Sequence, residues 1–95
     1  MARIDGPDEA EARHAAHVLQ RAAAQAAAPL GDGIDVKDVS TAPIARLRNR
    51  FRFRVVVRSA DRAALRKVLL AVERARAELP RTVRSSIDVD PVQFL

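Results

Sequence analysis

The feature that most constrains the fold is an alternation of arginines and apolar residues in the middle of the chain. Between residues 46 and 58 the chain carries six arginines and no acidic residue. Successive side chains of a strand point to opposite faces, so this period of two predicts a strand with one apolar and one basic face. The apolar face comprises Phe51, Phe53, Val55 and Val57. The basic ladder comprises Arg46, Arg48, Arg50, Arg52, Arg54 and Arg58.

The first third of the chain predicts a strand followed by an alanine-rich helix. Residues 2–5 form the strand, which Gly6-Pro7 ends. Asp8 with Glu11 three residues later is typical of a capping box, and it predicts a helix that runs to about Ala28. The apolar spacing predicts that the buried face of this helix consists of Ala12, Ala15, Ala16, Leu19, Ala22, Ala23 and Ala26.

The remainder of the chain predicts a second strand, the arginine strand, a second helix and a last strand. Ile34, Val36 and Val39 indicate the second strand, and we expect residues 40–49 to form a connecting loop. Ser59 and Asp61 are candidate N-caps for a helix that Pro80 ends. The buried face of that helix is predicted to contain Leu65, Val68, Leu69, Val72, Ala75 and Leu79. Alternation over residues 83–90 predicts a final, half-buried strand.

The element order β-α-β-β-α-β predicts an α+β fold of the ferredoxin-like sandwich type. In that architecture four antiparallel strands carry both helices on one face. With 95 residues and no internal linker, we expect a single domain over residues 1–95. Burying Arg50, Arg52 and Arg54 under the helices would cost several kcal/mol each. We therefore expect the aromatic residues to face the helices and the arginines to line the open face.

The positive charge lies in the second half of the chain. The net charge of +5 combines −3 over residues 1–40 with +8 over residues 41–95. Alternate residues of a strand are about 6.6 Å apart, near the phosphate spacing of an extended single strand. The pattern thus favours a nucleic-acid backbone as the partner. A solvated outer face, or a surface that docks on another domain, is the alternative.

Other residue types offer little for catalysis or metal binding. His14 and His17 lie three apart on the first predicted helix without a third ligand. Asp88 and Asp90 would share the open face with arginines, which favours ion pairing over a divalent cation. The chain has no cysteine, no glycine-rich phosphate loop and no paired nucleophile and base. We expect no metal site, no cofactor and no catalysis by this chain, and no membrane-spanning segment.

Three segments resemble the C-terminal domain of the PriA family, the bacterial primosomal protein N′ that acts as a replication-restart helicase. They are residues 4–10, residues 42–53 with 59–62, and residues 87–95. The resemblance runs the full chain, and its middle and last motifs are specific together but weak apart. The family often carries Gly-Pro in the stretch equivalent to 38–42 and glycine at the position of Asn49. These departures bear on the geometry of the loops and not on the family assignment.

The resemblance implies an accessory DNA-binding and partner-binding domain in the bacterial cytoplasm. It would engage branched or single-stranded DNA beside the helicase core of the parent chain, an ATP-dependent 3′–5′ DNA helicase. In the family, ATP and zinc belong to other domains, which this sequence does not contain. Two alternatives remain: a structural domain that docks on the helicase lobes, and a free-standing RNA-binding protein of ribosomal type.

The resemblance also implies a partner site on the second helix. The residues that match Arg62 and Arg66 help bind the acidic tail of single-stranded DNA-binding protein in the family. The two arginines are one helical turn apart, and they and the helix N-terminus would attract a carboxylate. The alternative is that they only keep the helix soluble.

Overall fold

The computed structural model describes residues 1–31 and 33–87. Its strands are β1 (Ala2–Gly6), β2 (Ile34–Val36), β3 (Ser40–Leu47), β4 (Arg50–Val55), β5 (Val57–Ser59) and β6 (Arg84–Ile87). Its α-helices are α1 (Glu9–Ala27) and α2 (Arg62–Arg76), and a short 3₁₀ turn, Ala28–Leu30, follows α1.

The main sheet is antiparallel, with the strand order β3-β4-β1-β6. Buried residues of both helices join one core with Ile4, Phe53 and Val55. Ile4 lies opposite Phe53, and Ala2 lies opposite Val55, so these residues share one face of the sheet. Both helices therefore pack on that face. The α+β class and the ferredoxin-like architecture are confirmed.

The loop that we expected over residues 40–49 is wrong. Ser40–Leu47 form β3, which pairs with β4 in a hairpin, whereas β2 pairs with β5 in a separate two-stranded sheet. A two-residue turn joins the strands, because Leu47 lies opposite Arg50. Arg48 and Asn49 have φ of 54° and 62°, the left-handed conformation that a tight hairpin turn requires. Asn tolerates this conformation and Arg does not favour it, so the sequence signal for the turn is weak.

The helix ends follow the capping predictions in part. Asp8 accepts a hydrogen bond from the backbone N–H of Glu11 at 3.0 Å, and Asp61 accepts from Ala63 and Ala64. The Glu11 carboxylate accepts from the Thr82 hydroxyl instead of reaching back to Asp8, so only half of the capping box is seen.

The alanine-rich face of α1 forms the centre of the core. Ala12, Ala16, Leu19 and Ala23 are fully buried, whereas Ala22 and Ala26 of the predicted face are half-buried. On α2 the prediction holds for Leu65, Val68 and Val72, and Ala64 is a buried residue that the apolar spacing missed. Leu69, Ala75 and Leu79 pack against the core from its rim. Across residues 1–31 and 33–87, neither helix is long and apolar enough to cross a membrane.

Candidate nucleic-acid interface

The face of the sheet opposite the helices carries a cluster of charged residues. Register fixes its members, because residues directly opposite each other in an antiparallel pair share a face. Arg3 lies opposite Arg54, and Asp5 lies between Arg52 on β4 and Arg84 on β6. We call this set the open face: Arg3, Asp5, Arg50, Arg52, Arg54 and Arg84. Phe53 and Val55 are buried on the other side, so the predicted orientation of the strand is confirmed.

Asp5 is the centre of the open face. Its Oδ1 accepts hydrogen bonds from Arg50 Nε at 2.5 Å and from Arg84 Nε at 3.1 Å. Arg50 also donates to the backbone oxygens of Asp5 at 3.3 Å and of Thr82 at 3.1 Å. The Arg50 side chain is 24% exposed. Arg50 therefore fastens β4 to β1 and to the segment before β6, and its guanidinium is largely occupied.

The ion pairs of Asp5 shift its pKa. Partial burial raises the pKa of Asp5, but hydrogen bonds from Arg50 and Arg84 and their positive charges outweigh the burial and hold it below the ordinary value of 3.8. A folded-state pKa below the unfolded value means that the carboxylate stabilises the fold fully above pH 3.8. This stabilisation is lost as the pH falls through the folded-state pKa.

This linkage predicts a pH dependence that Asp5→Asn removes. The free energy of unfolding of the parent should exceed that of Asp5→Asn above about pH 4, and the difference should shrink as the pH falls through the folded-state pKa of Asp5, below which the carboxyl is protonated in both states. Urea titrations followed by circular dichroism measure both proteins. When Arg50→Gln and Arg84→Gln are present in both proteins, the difference in free energy of unfolding between Asp5 and Asp5→Asn should no longer depend on pH. A difference that persists unchanged at acidic pH would contradict the ion-pair assignment.

Arg54 on the open face and Arg48 at its end make fewer hydrogen bonds and ion pairs than Arg50. Arg54 has one weak contact, from Nε to the Ser40 hydroxyl at 3.4 Å. Arg48, in the hairpin turn, lines a shallow concavity of about 210 Å³ together with Asp5, Arg50, Arg52 and Arg84. Within residues 1–31 and 33–87, no carboxylate pairs with Arg48 or Arg54. These two guanidiniums are free to meet a phosphate.

The structure divides the predicted ladder. Arg50, Arg52 and Arg54 lie together on the open face with Arg48 at its end. Arg46 lies opposite Phe51 on β3, and its guanidinium carbon lies over that ring, 5.4 Å from the centroid. The Arg46 side chain thus lies on the side of the hairpin opposite the open face. Arg58 lies in the separate ribbon of β2 and β5, opposite Asp35.

Arg3, Asp5 and Arg84 are members of the open face that sequence reasoning did not select. The alternation Ala2-Arg3-Ile4-Asp5 carries the signal for the first two, because the apolar members are buried and the charged ones face outward. We expected Asp88 and Asp90 to reduce the positive charge of this face. Both lie outside the described residues, and Asp5 is the acidic residue that the structure shows there.

Arg62 and Arg66 lie on the exposed side of α2, in its first and second turns. The side chain of Asp61 occupies the N–H groups of Ala63 and Ala64, so the helix N-terminus that we expected to attract a carboxylate is already capped. Leu70, one turn beyond Arg66, is 51% exposed. The surface therefore combines positive charge with an apolar side chain.

The candidate histidine pair is exposed on α1. Across residues 1–31 and 33–87, no three side chains of histidine, aspartate or glutamate come together as metal ligands would.

The comparison with known families decides the assignment. The sequence matches the family described as the primosomal protein N C-terminal domain over residues 1–92. The chain belongs to this family. No significant match to a curated protein or to a solved structure was found. Membership of the primosomal family assigns the chain to replication restart, as the three sequence segments implied.

Proposed function

We propose that this primosomal C-terminal domain binds the sugar-phosphate backbone of single-stranded or forked DNA with its open face, as an accessory domain of a replication-restart helicase in the bacterial cytoplasm. The observation that supports this proposal most directly is the residue composition of the open face. Five arginines share it with one aspartate across the described parts of β1, β4 and β6. An arginine guanidinium forms paired hydrogen bonds with phosphate oxygens.

The arrangement of the arginines favours backbone contact over base readout. Arg3 and Arg54 lie directly opposite each other, and like charges in this position repel. A phosphate bound between them could accept hydrogen bonds from both guanidiniums. Among the described residues of β1, β4 and β6, no aromatic side chain lies on this face, so these residues offer charge without a stacking surface. Binding is therefore expected to depend on salt and little on sequence.

The test is direct binding of the 95-residue chain to single-stranded, double-stranded and forked DNA, measured by fluorescence anisotropy over a salt series. We expect affinity for single-stranded and forked DNA to fall as salt rises, with a slope of about 0.7 per phosphate contacted on a single strand. Absence of binding at low salt would contradict the proposal. It would favour the alternative that the open face docks on the helicase lobes.

We infer a second role for the exposed side of α2, the binding of the acidic tail of single-stranded DNA-binding protein. Arg62 and Arg66 supply two guanidiniums one turn apart, and Leu70 adds apolar surface beside Arg66. No carboxylate among the described residues pairs with Arg66. An acidic peptide would gain charge-assisted hydrogen bonds there.

A titration of the tail peptide into isotopically labelled protein tests this role. We expect weak binding, with amide shifts centred on residues 61–70 that disappear in Arg62→Glu. Arg54→Glu, on the open face, is the matched control and should leave these shifts in place. Shifts confined to β4 would show only nonspecific attraction between charges and would contradict the α2 site.

A further inference from the structure

The tip of the β3–β4 hairpin carries an aromatic residue that the core does not fully cover. Phe53 is buried, but Phe51, two residues nearer the turn, is half-buried. Its neighbour across β1 is Gly6, which offers no side chain, and its neighbour across β3 is Arg46. The aromatic ring thus lies at the margin of the core, on the side of the hairpin opposite the open face.

Arg46 is fixed beside this ring. Its guanidinium carbon lies over the Phe51 ring at 5.4 Å from the centroid, within the range of a cation–π contact. Its Nη2 donates to Asn49 Oδ1 at 3.2 Å, so the hairpin turn holds the guanidinium from a second side. No described carboxylate pairs with Arg46. The planar group is therefore ordered, exposed and not neutralised.

We propose that the Arg46–Phe51 pair is a stacking site for one unpaired nucleobase. Guanidinium planes and aromatic rings are the surfaces on which unstacked bases rest. Arg48 lies two residues away at the turn and would contact the phosphate beside that base. The inference rests on the proposed DNA-binding function and adds to it. The open face contacts the backbone, and the hairpin tip selects strands whose bases are free.

The stacking site would let the protein distinguish single strands from duplex, which the described residues of the open face, with no aromatic side chain, would not do alone. In a duplex the bases are stacked on each other, and the Arg46–Phe51 pair would find no free base surface. At a fork or in a single strand an unpaired base is available. The preference for single strands is thus expected to depend on Arg46 and Phe51, and the salt dependence on the open face.

The experiment compares two labelled oligonucleotides of about 12 nucleotides, one of thymidines and one with abasic sugars in its centre. Both present the same phosphates, and only the first presents bases throughout. We expect the parent protein to prefer the thymidine strand by about fivefold or more, the effect of about 1 kcal/mol of stacking at about 1.4 kcal/mol per tenfold.

Two variants test the pair. Arg46→Lys keeps the charge but loses the planar group, so the preference should fall to nearly one while the salt slope stays unchanged. Phe51→Leu should act in the same way and keeps an apolar side chain at the core margin. Arg54→Lys is the matched control on the open face and should retain the preference. Circular dichroism confirms that each variant is folded.

The outcomes separate this inference from the function on which it rests. Equal binding of the two strands by the parent protein would overturn the stacking site and leave backbone binding intact, as would an undiminished preference in Arg46→Lys. Binding of neither strand would overturn the proposed function itself. A strand that carries 2-aminopurine gives an independent signal, because the protein contains no tryptophan or tyrosine to obscure its emission. Its emission should change with the parent protein and not with Arg46→Lys.

Discussion

Replacing Phe53 with alanine is expected to lower the free energy of unfolding by about 3–5 kcal/mol. Phe53 is 5% exposed and lies opposite Ile4, which is 1% exposed, at the centre of the sheet. The guanidinium carbon of Arg13 on α1 lies 5.5 Å from the ring centroid. Truncation would remove the aromatic surface between sheet and helix and leave a cavity that rigid neighbours cannot fill.

Urea denaturation followed by far-ultraviolet circular dichroism measures this loss. Phe51→Ala is the matched control, because it removes the same side chain from a half-buried position two residues away. It should cost clearly less. An unchanged midpoint for Phe53→Ala would mean that the faces of β4 are inverted, in contradiction to the burial of Phe53 and Val55.

The orientation of β4 could be predicted from the sequence because it depends on a local alternation of side chains and on the much higher cost of burying arginine than of burying phenylalanine. Phenylalanines and arginines alternate, and only one assignment avoids burying several guanidiniums. The helices could be predicted for a similar reason, since apolar spacing and the capping residues Asp8 and Asp61 are local signals. The element order then limited the fold to a few arrangements.

The extent of β3 could not be predicted in the same way. Residues 40–47 lack a clear alternation of apolar and polar side chains, and Pro43 weakens the strand signal. The strand exists because β4 provides a partner, with an irregular register between Thr41 and Arg46. The turn at Arg48 and Asn49 contains no glycine. Tertiary pairing therefore decided a segment for which local preference was weak.

The composition of the interface depends on register, which a single sequence does not reveal. Asp5 is 45 residues from Arg50 and 79 residues from Arg84, yet the sheet places its carboxylate between them. The same register moves Arg46 to the side of Phe51. The six arginines that follow one another in the sequence are thus separated in the structure. Arg50 binds the Asp5 carboxylate, Arg52 lies opposite Asp5, and Arg48 and Arg54 lie near them without a described carboxylate partner. Arg46 stacks on Phe51 on the other side, and Arg58 lies in the ribbon of β2 and β5.

This division predicts that the arginines of the ladder have separable effects. Arg50 donates to the carboxylate and backbone of Asp5 and to the backbone of Thr82. Arg50→Gln should therefore lower the free energy of unfolding by about 1.5–3 kcal/mol, as expected for hydrogen bonds to a charged group. It should change the salt dependence of DNA binding little, because this guanidinium is already occupied.

The double variant Arg48→Gln, Arg54→Gln should show the opposite behaviour. Neither guanidinium has a described carboxylate partner, so the free energy of unfolding should change by less than about 0.5 kcal/mol. Two lost phosphate contacts would lower the salt slope on single-stranded DNA by about 1.4. If the affinities of parent and variant for single-stranded DNA become equal near 1 M salt, the variant binds about 60-fold more weakly at about 50 mM salt.

Anisotropy titrations over the salt series measure the slope and the affinity, and urea denaturation of the same samples measures the free energy of unfolding. A slope equal to that of the parent would remove these two arginines from the interface. A smaller slope in Arg50→Gln would show instead that DNA displaces Asp5 from its ion pair.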